Sequence, residues 1–220
     1  YAEQAPRALE LVSTEAYVDG PRAIVTHVYR LGSASGHSQL KQQVVLTAGS
    51  ARLDFHNQLH WRETQSMLRA RFPVDVHAEA ATYEIQFGHI ARPTHKSRPF
   101  DADRFEVCNH KWTALTEGNR GVAVLNDCKY GVNVTGSAAG ASINLTLLKS
   151  ALAPDMYADK GRQEFTYALY AWNGTLYDSG LVQQGYDLNV ETLIARGDGG
   201  QVSLVSVDAP NIIVETVKPA

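Results

Sequence analysis

The dominant period of apolar residues along this chain is two. Leu53, Phe55, Asn57, Leu59 and Trp61 alternate with Arg52, Asp54, His56, Gln58, His60 and Arg62, the pattern of a strand with one dry and one wet face. Leu68, Ala70 and Phe72 alternate in the same way with Met67, Arg69 and Arg71. The short polar link at 63–66 makes these two runs a candidate hairpin. The same spacing predicts strands around Tyr83, Ile85 and Phe87, around Ile143, Leu145 and Leu147, and around Phe165, Tyr167 and Leu169. Residues 23–31 and 43–47 are rich in β-branched and aromatic side chains and read as strands too.

Helical spacing is weak. Residues 101–107 form the one candidate helical turn, with Asp101 as its N-cap. Asp19-Gly20, Asn173-Gly174 and Asp198-Gly199-Gly200 punctuate the chain where turns are needed, and residues 32–38 read as a loop. Many short strands, few helices and no Pro-, Gly- or Ser-rich linker predict one all-β domain over residues 1–220, a large antiparallel β-sandwich with little helix.

Composition narrows the function classes. With 220 residues, 44% hydrophobic and 20% charged, the chain is neither disordered nor collagen-like. Lys+Arg number 20 and Asp+Glu 23, a net charge of −3, which speaks against a nucleic-acid partner. No apolar run approaches the ~20 residues of a membrane helix, so no membrane partner is expected. Cys108 and Cys128 are the two cysteines, expected as buried free thiols. Asn133, Asn144 and Asn173 open N-x-[ST] triplets that matter only in a secretory compartment. The chain starts at Tyr1 without a signal segment, and the expectation is a piece of a longer protein.

Motifs that carry chemistry are mostly missing: there is no G-x-G-x-x-G, P-loop, H-E-x-x-H or G-x-S-x-G. His77 and Glu79 match half of a zinc-deaminase signature without its cysteine half. His89, His95 and His110 lie near Cys108, but their spacing matches no metal-ligand pattern, so no metal is expected in this chain. Asp101, Asp103 and Glu106 cluster near Arg104, and Asp155 and Asp159 lie near Arg162. The plain reading of both groups is solvated loop charge and capping. Two segments stand out. Residues 92–99 place two prolines, His95 and three cations in one loop, a shape that often lines a site. Residues 126–131 are polar between two apolar runs, and their plain reading is a hairpin turn.

A series of strings, in order over about residues 50–218, resembles the C-terminal β domain of the α-mannosidases of glycoside hydrolase family 38, in particular their cytosolic and bacterial branch. They are Phe72-Pro73-Val74-Asp75-Val76, Ala81-Thr82-Tyr83-Glu84-Ile85-Gln86-Phe87-Gly88, Arg92-Pro93-Thr94-His95, Arg104-Phe105-Glu106-Val107 and His110-Lys111-Trp112. Then follow Leu125-Asn126-Asp127-Cys128-Lys129-Tyr130-Gly131, Ala153-Pro154-Asp155, Glu164-Phe165-Thr166-Tyr167-Ala168-Leu169 and Val214-Glu215-Thr216-Val217. The chain departs from that branch at Phe100-Asp101-Ala102-Asp103, where a tryptophan-rich stretch is usual, and at Gln163, where a histidine is usual.

The resemblance implies a galactose-mutarotase-like supersandwich and a parent enzyme that hydrolyses terminal α-linked mannose with retention. It also implies a zinc ion and a catalytic aspartate outside this chain, and a cytoplasmic setting. No residue here matches those catalytic motifs, so no cofactor is expected in this part. Its implied partners are the rest of the α-mannosidase chain and an α-mannoside or oligosaccharide substrate. The segment at 149–162 corresponds to a loop that approaches the substrate cleft, which makes Arg162 and Asp155 candidate cleft residues, with His95 and Arg92 next. A free-standing carbohydrate-binding module is the alternative, with Trp61, Trp112 and Trp172 as its aromatic platform, and a mutarotase-like enzyme ranks third.

Overall fold

The alternation becomes two antiparallel sheets in the computed structural model, which describes residues 7–33, 36–104, 106–137, 140–191, 196–197, 199–200, 203, 205–209 and 212–218. The strands are β1 (Glu10–Asp19), β2 (Arg22–Ser33), β3 (Gly36–Thr47), β4 (Arg52–Trp61), β5 (Met67–Val74), β6 (Ala80–Ile85) and β7 (Gly88–Pro93). They continue with β8 (Val107–Cys108), β9 (Trp112–Glu117), β10 (Arg120–Asn126), β11 (Gly131–Ser137), β12 (Gly140–Lys149) and β13 (Gly161–Asn173). Two helices, α1 (Pro99–Asp103) and α2 (Leu181–Asn189), complete the described elements. The first sheet runs β1-β2-β3-β4-β13-β10-β9-β6-β7, the second β5-β12-β11-β8.

The main core lies between the sheets. Leu59, Trp61, Leu115, Val124, Phe165 and Tyr167 come from the first, Val132, Ile143, Leu145 and Leu147 from the second. Burying each of the larger aliphatic side chains contributes roughly 1.5–3 kcal/mol. Phe72 of β5 meets Phe55 and Tyr167 edge-on, at centroid distances of 5.6 and 5.9 Å. Asn57 sits on this dry face, 3% exposed, because every polar group finds a partner. Gln42 Nε2 donates to Asn57 Oδ1 (2.9 Å) and to the Tyr167 hydroxyl (2.7 Å), and Asn57 Nδ2 donates to the Phe165 carbonyl. The other face of the first sheet forms a second core. Trp112, Ala114, Ala123, Leu125, Ala168 and Trp172 pack there with Leu181 of α2. Gly185 lets α2 approach: a Cβ there would stand 3.1 Å from Trp112 Cδ1.

The fold corrects several sequence expectations. The runs at 53–61 and 68–72 are not a hairpin. β4 pairs with β3 and β13, whereas β5 pairs with β12 in the other sheet. Their link changes sheets, which buries Glu63 to 3% exposure. Residues 126–131 also cross between sheets, from β10 to β11. The helical turn starts earlier than expected. Arg98 is the N-cap of α1, and Asp101 Oδ2 accepts the Arg98 backbone N–H (3.1 Å) from within the first turn. Strands β2 and β3 extend into the expected loop at 32–38, of which residues 34–35 lie outside the described ones. Phe87 leaves the strand with a φ of 56° and is 96% exposed. Cys108 and Cys128 are free, as expected, but exposed rather than buried. Among the described residues no helix is long and apolar enough to cross a membrane.

Candidate functional site

The loop after β7 is a knot of charge tied by its own residues. The Arg92 guanidinium lies over the Tyr83 ring, 4.8 Å from its centroid, and donates to the Cys108 carbonyl (3.4 Å). Thr94 anchors the loop by donating its hydroxyl to Ala78 O (2.7 Å) and its N–H to Glu79 O (2.9 Å). His95 pairs with the Ser97 hydroxyl (2.8 Å) and lies 3.9 Å from Asp101. Burial alone would raise the Asp101 carboxyl, but hydrogen bonds from the Arg98 side chain and backbone, with the Arg98 and His95 charges, hold it below its ordinary value. Tyr83 is pushed up to about 12 by burial, against the Arg92 charge. The cavity under this loop, lined by Tyr83, Arg92, His95, Asp101, Arg104 and Asn133, measures about 30 Å³. That is room for about two waters and too little for a sugar ring.

The second candidate pair sits elsewhere. Arg162 lies at the start of β13, opposite His60 of β4, and is exposed. Asp155 lies in the preceding loop and accepts the Tyr157 N–H (2.8 Å). The loop is held by short polar contacts: Asp159 accepts the Lys149 N–H (2.8 Å), and Gln163 Nε2 donates to Asp159 O (2.7 Å). It turns Leu152, Met156 and Tyr157 outward, 41%, 60% and 74% exposed. The loop thus holds its own shape while exposing apolar and charged side chains. Strands β13 and β7 are four positions apart in the first sheet, about 19 Å at 4.8 Å per strand. The structure therefore does not join Arg162 and Asp155 with His95 and Arg92 in one site.

Sequence reasoning missed the outer face of the second sheet. Arg71 Nε donates to Ser142 Oγ (3.3 Å), Ser142 Oγ to Asn144 Oδ1 (3.0 Å), and Asn144 Nδ2 to Asn133 O (3.2 Å). Beside them Arg69 and Thr146 both donate to Glu106 Oε1. An open depression of about 350 Å³, lined by Arg71, Pro73, Asp75, Thr135 and Ser142, adjoins this ladder. The alternation of Ser142 and Asn144 with Ile143 and Leu145 reads as a solvent face, yet these polar residues are 5% and 9% exposed. Only the non-local approach of β5, with its arginines, makes the ladder.

The histidines singled out from the sequence form no zinc site among the described residues. His89 lies beside Trp112 and Tyr177, His110 beside Tyr130, and His95 with Ser97, so the histidines do not converge. Among the described residues no three His, Cys, Asp or Glu side chains are placed to hold a metal. Trp61, Trp112 and Trp172, the platform an independent carbohydrate-binding module needs, are 2%, 3% and 8% exposed and belong to the cores.

Comparison with known proteins adds what geometry does not. The sequence profile described as "Glycosyl hydrolases family 38 C-terminal domain" matches residues 1–157. Alpha-mannosidase 2C1 of Homo sapiens is 44% identical over 190 residues, 84% of this chain and 18% of that protein. Alpha-mannosidase G of Dictyostelium discoideum is 38% identical over 211 residues, 92% of this chain and 19% of that protein. The chain thus spans about a fifth of the length of these curated relatives. The crystal structure of an alpha-mannosidase from Enterococcus faecalis V583 superposes with a TM-score of 0.73 at 14% identity, over 87% of this chain and 26% of that one. At that identity the likeness concerns the fold alone.

Proposed function

This chain belongs to the C-terminal domain family of the family 38 glycosyl hydrolases, and on that premise we propose that it is the β-sandwich part of an α-mannosidase that removes terminal non-reducing α-D-mannose. The observation that carries the proposal is the 44% identity to alpha-mannosidase 2C1 across 84% of the chain. In this reading the nucleophilic aspartate and the zinc of a retaining mechanism belong to the rest of the parent polypeptide. This sandwich buttresses that catalytic part. Its contribution to the cleft is the loop before β13, where Asp155 and Arg162 meet sugar hydroxyls. An exposed guanidinium supplies several fixed donors for that purpose. The knot around His95 and Arg92 has the weaker claim, since its cavity admits no sugar ring. Two exposed, unpaired thiols favour a reducing compartment, and we place the parent in the cytoplasm.

The test is turnover of an aryl α-mannoside by the full-length parent beside the 220-residue chain, with NMR of the first-formed anomer and a chelator arm. An active, retaining, chelator-sensitive parent and a silent chain are expected. A parent inactive on every α-mannoside, or turnover by the chain itself, overturns the proposal.

A further inference from the structure

The inner face of the first sheet is wider than the second sheet that covers it. Cross-strand register identifies the face. Val18, Ala23, Leu46 and Leu53 stand in one row, and Ala16, Val25, Val44 and Phe55 in the next. Directly opposed residues of neighbouring strands share a face. Phe55 packs on Phe72 and Tyr167 inside the sandwich, so both rows lie on its interior side. Yet Val18 is 77% exposed and Leu46 47%, Ala16 and Ala23 are exposed, and Val25 and Val44 are half-buried. The uncovered region begins where the second sheet stops: β5 is its edge strand, and among the described residues no strand lies beyond it.

An apolar interior face left to water marks an interaction surface. One observation chooses its occupant. The relatives that this chain matches carry about four-fifths of their length outside the matched part, since it covers 18–19% of them. We propose that an apolar segment from the remainder of the parent polypeptide lies beside β5 and closes the sandwich over Ala16, Val18, Ala23, Val25, Val44 and Leu46. The proposal rests on the reading of this chain as part of a longer family 38 enzyme.

Single cysteines in the full-length parent test it, with maleimide labelling mapped by peptide mass spectrometry. Val18→Cys and Leu46→Cys report the inner face. Glu15→Cys, on the same strand but the opposite face, is the control. Ala23→Cys stands in for either reporter that does not fold. Labelling of the inner-face cysteines about 30-fold or more slower than of position 15 in the native parent, and equal rates in urea, is the expected result. Equal rates in the native parent overturn the proposal. So does protection that vanishes when the parent is diluted to a monomer, which identifies a second copy as the cover. Turnover of an aryl α-mannoside by the same samples separates the two readings. An active parent with fast labelling at position 18 sinks this inference alone, and a protected but inactive parent sinks the proposed function alone.

Discussion

Gly121→Ala is the sharpest test of the second core. Gly121 of β10 pairs directly with Trp172 of β13, and the indole lies over the glycine. A methyl group at 121 would fall 2.7 Å from Trp172 Cη2 and closer still to Cζ2 and Cε2. Ordinary carbon contacts are about 3.5–4.0 Å, so the ring must move by most of an ångström or more. It has little room, being 8% exposed and stacked on Tyr170 at 5.8 Å. Overpacking a settled core costs about 1–3 kcal/mol, and an overlap this deep belongs at about 3. Restricting the unfolded chain by Gly→Ala returns up to about 1 kcal/mol. The net loss is about 2 kcal/mol, which lowers Tm by roughly 4–8 °C for a chain of this size. Calorimetry measures it. Gly88→Ala is the control: a Cβ there meets nothing within 4 Å, and Tm should stay within about 2 °C. Trp172→Phe removes Cζ2 and Cη2, two of the three atoms that collide, and the indole N–H it deletes has no partner among the described residues. The double variant should therefore be more stable than the sum of the singles by about 2 kcal/mol. A Gly121→Ala variant within 1 °C of the parent chain, or strict additivity in the double, refutes this account.

Arg162→Ala and Asp155→Ala in the full-length parent should each lower kcat/KM on an α-mannoside about 10–100-fold, as losing a hydrogen bond to a charged group does, with Tm unchanged because both side chains are exposed. Steady-state kinetics within two-fold of wild type would remove the loop from the cleft. Asp101 is held below its ordinary 3.8, so its stabilising contribution is complete above that pH and lost as pH falls through the folded value. Urea midpoints between pH 6 and pH 3 should therefore fall less in Asp101→Asn, and an unchanged slope would contradict the geometry around Arg98. Tyr83 and Tyr167 are both raised by burial, so their neutral forms support the fold fully below about pH 10 and that support is lost as pH rises. Absorbance at 295 nm at pH 11 should leave at least these two of the ten tyrosines un-ionised until the chain unfolds; ten ionising without unfolding would disprove it.

Much of the local structure was legible in the chain. Leu53, Phe55, Asn57, Leu59 and Trp61 do share the inner face of β4, because successive side chains of a strand must point to opposite sides. What pairs with that strand was not legible. The link at 63–66 has the length of a hairpin loop, but β4 finds β13 about a hundred residues away, while β5 finds β12. Strand pairing is decided by which faces bury together, and alternation within one strand carries no record of its partner. Helix α2 was missed for a related reason: Gly185 weakens its helical propensity, and its value appears only when Trp112 lies against it.

The candidate site divides the same way. Residue types marked the loop at 92–99 as unusual, whereas the loop at 149–162 was pointed to only by the resemblance. Only the tertiary structure decided that the first is a self-tied knot over a cavity of about 30 Å³, and that the second lies four strands away. It also decided that three tryptophans are core and that the interior face at Val18 and Leu46 is open. The sequence by itself determined the strand character and the family, since both are written in local spacing and residue identity. The sheet order, the uncovered face and the separation of the two loops come from packing between distant segments, where burial and not spacing selects the arrangement.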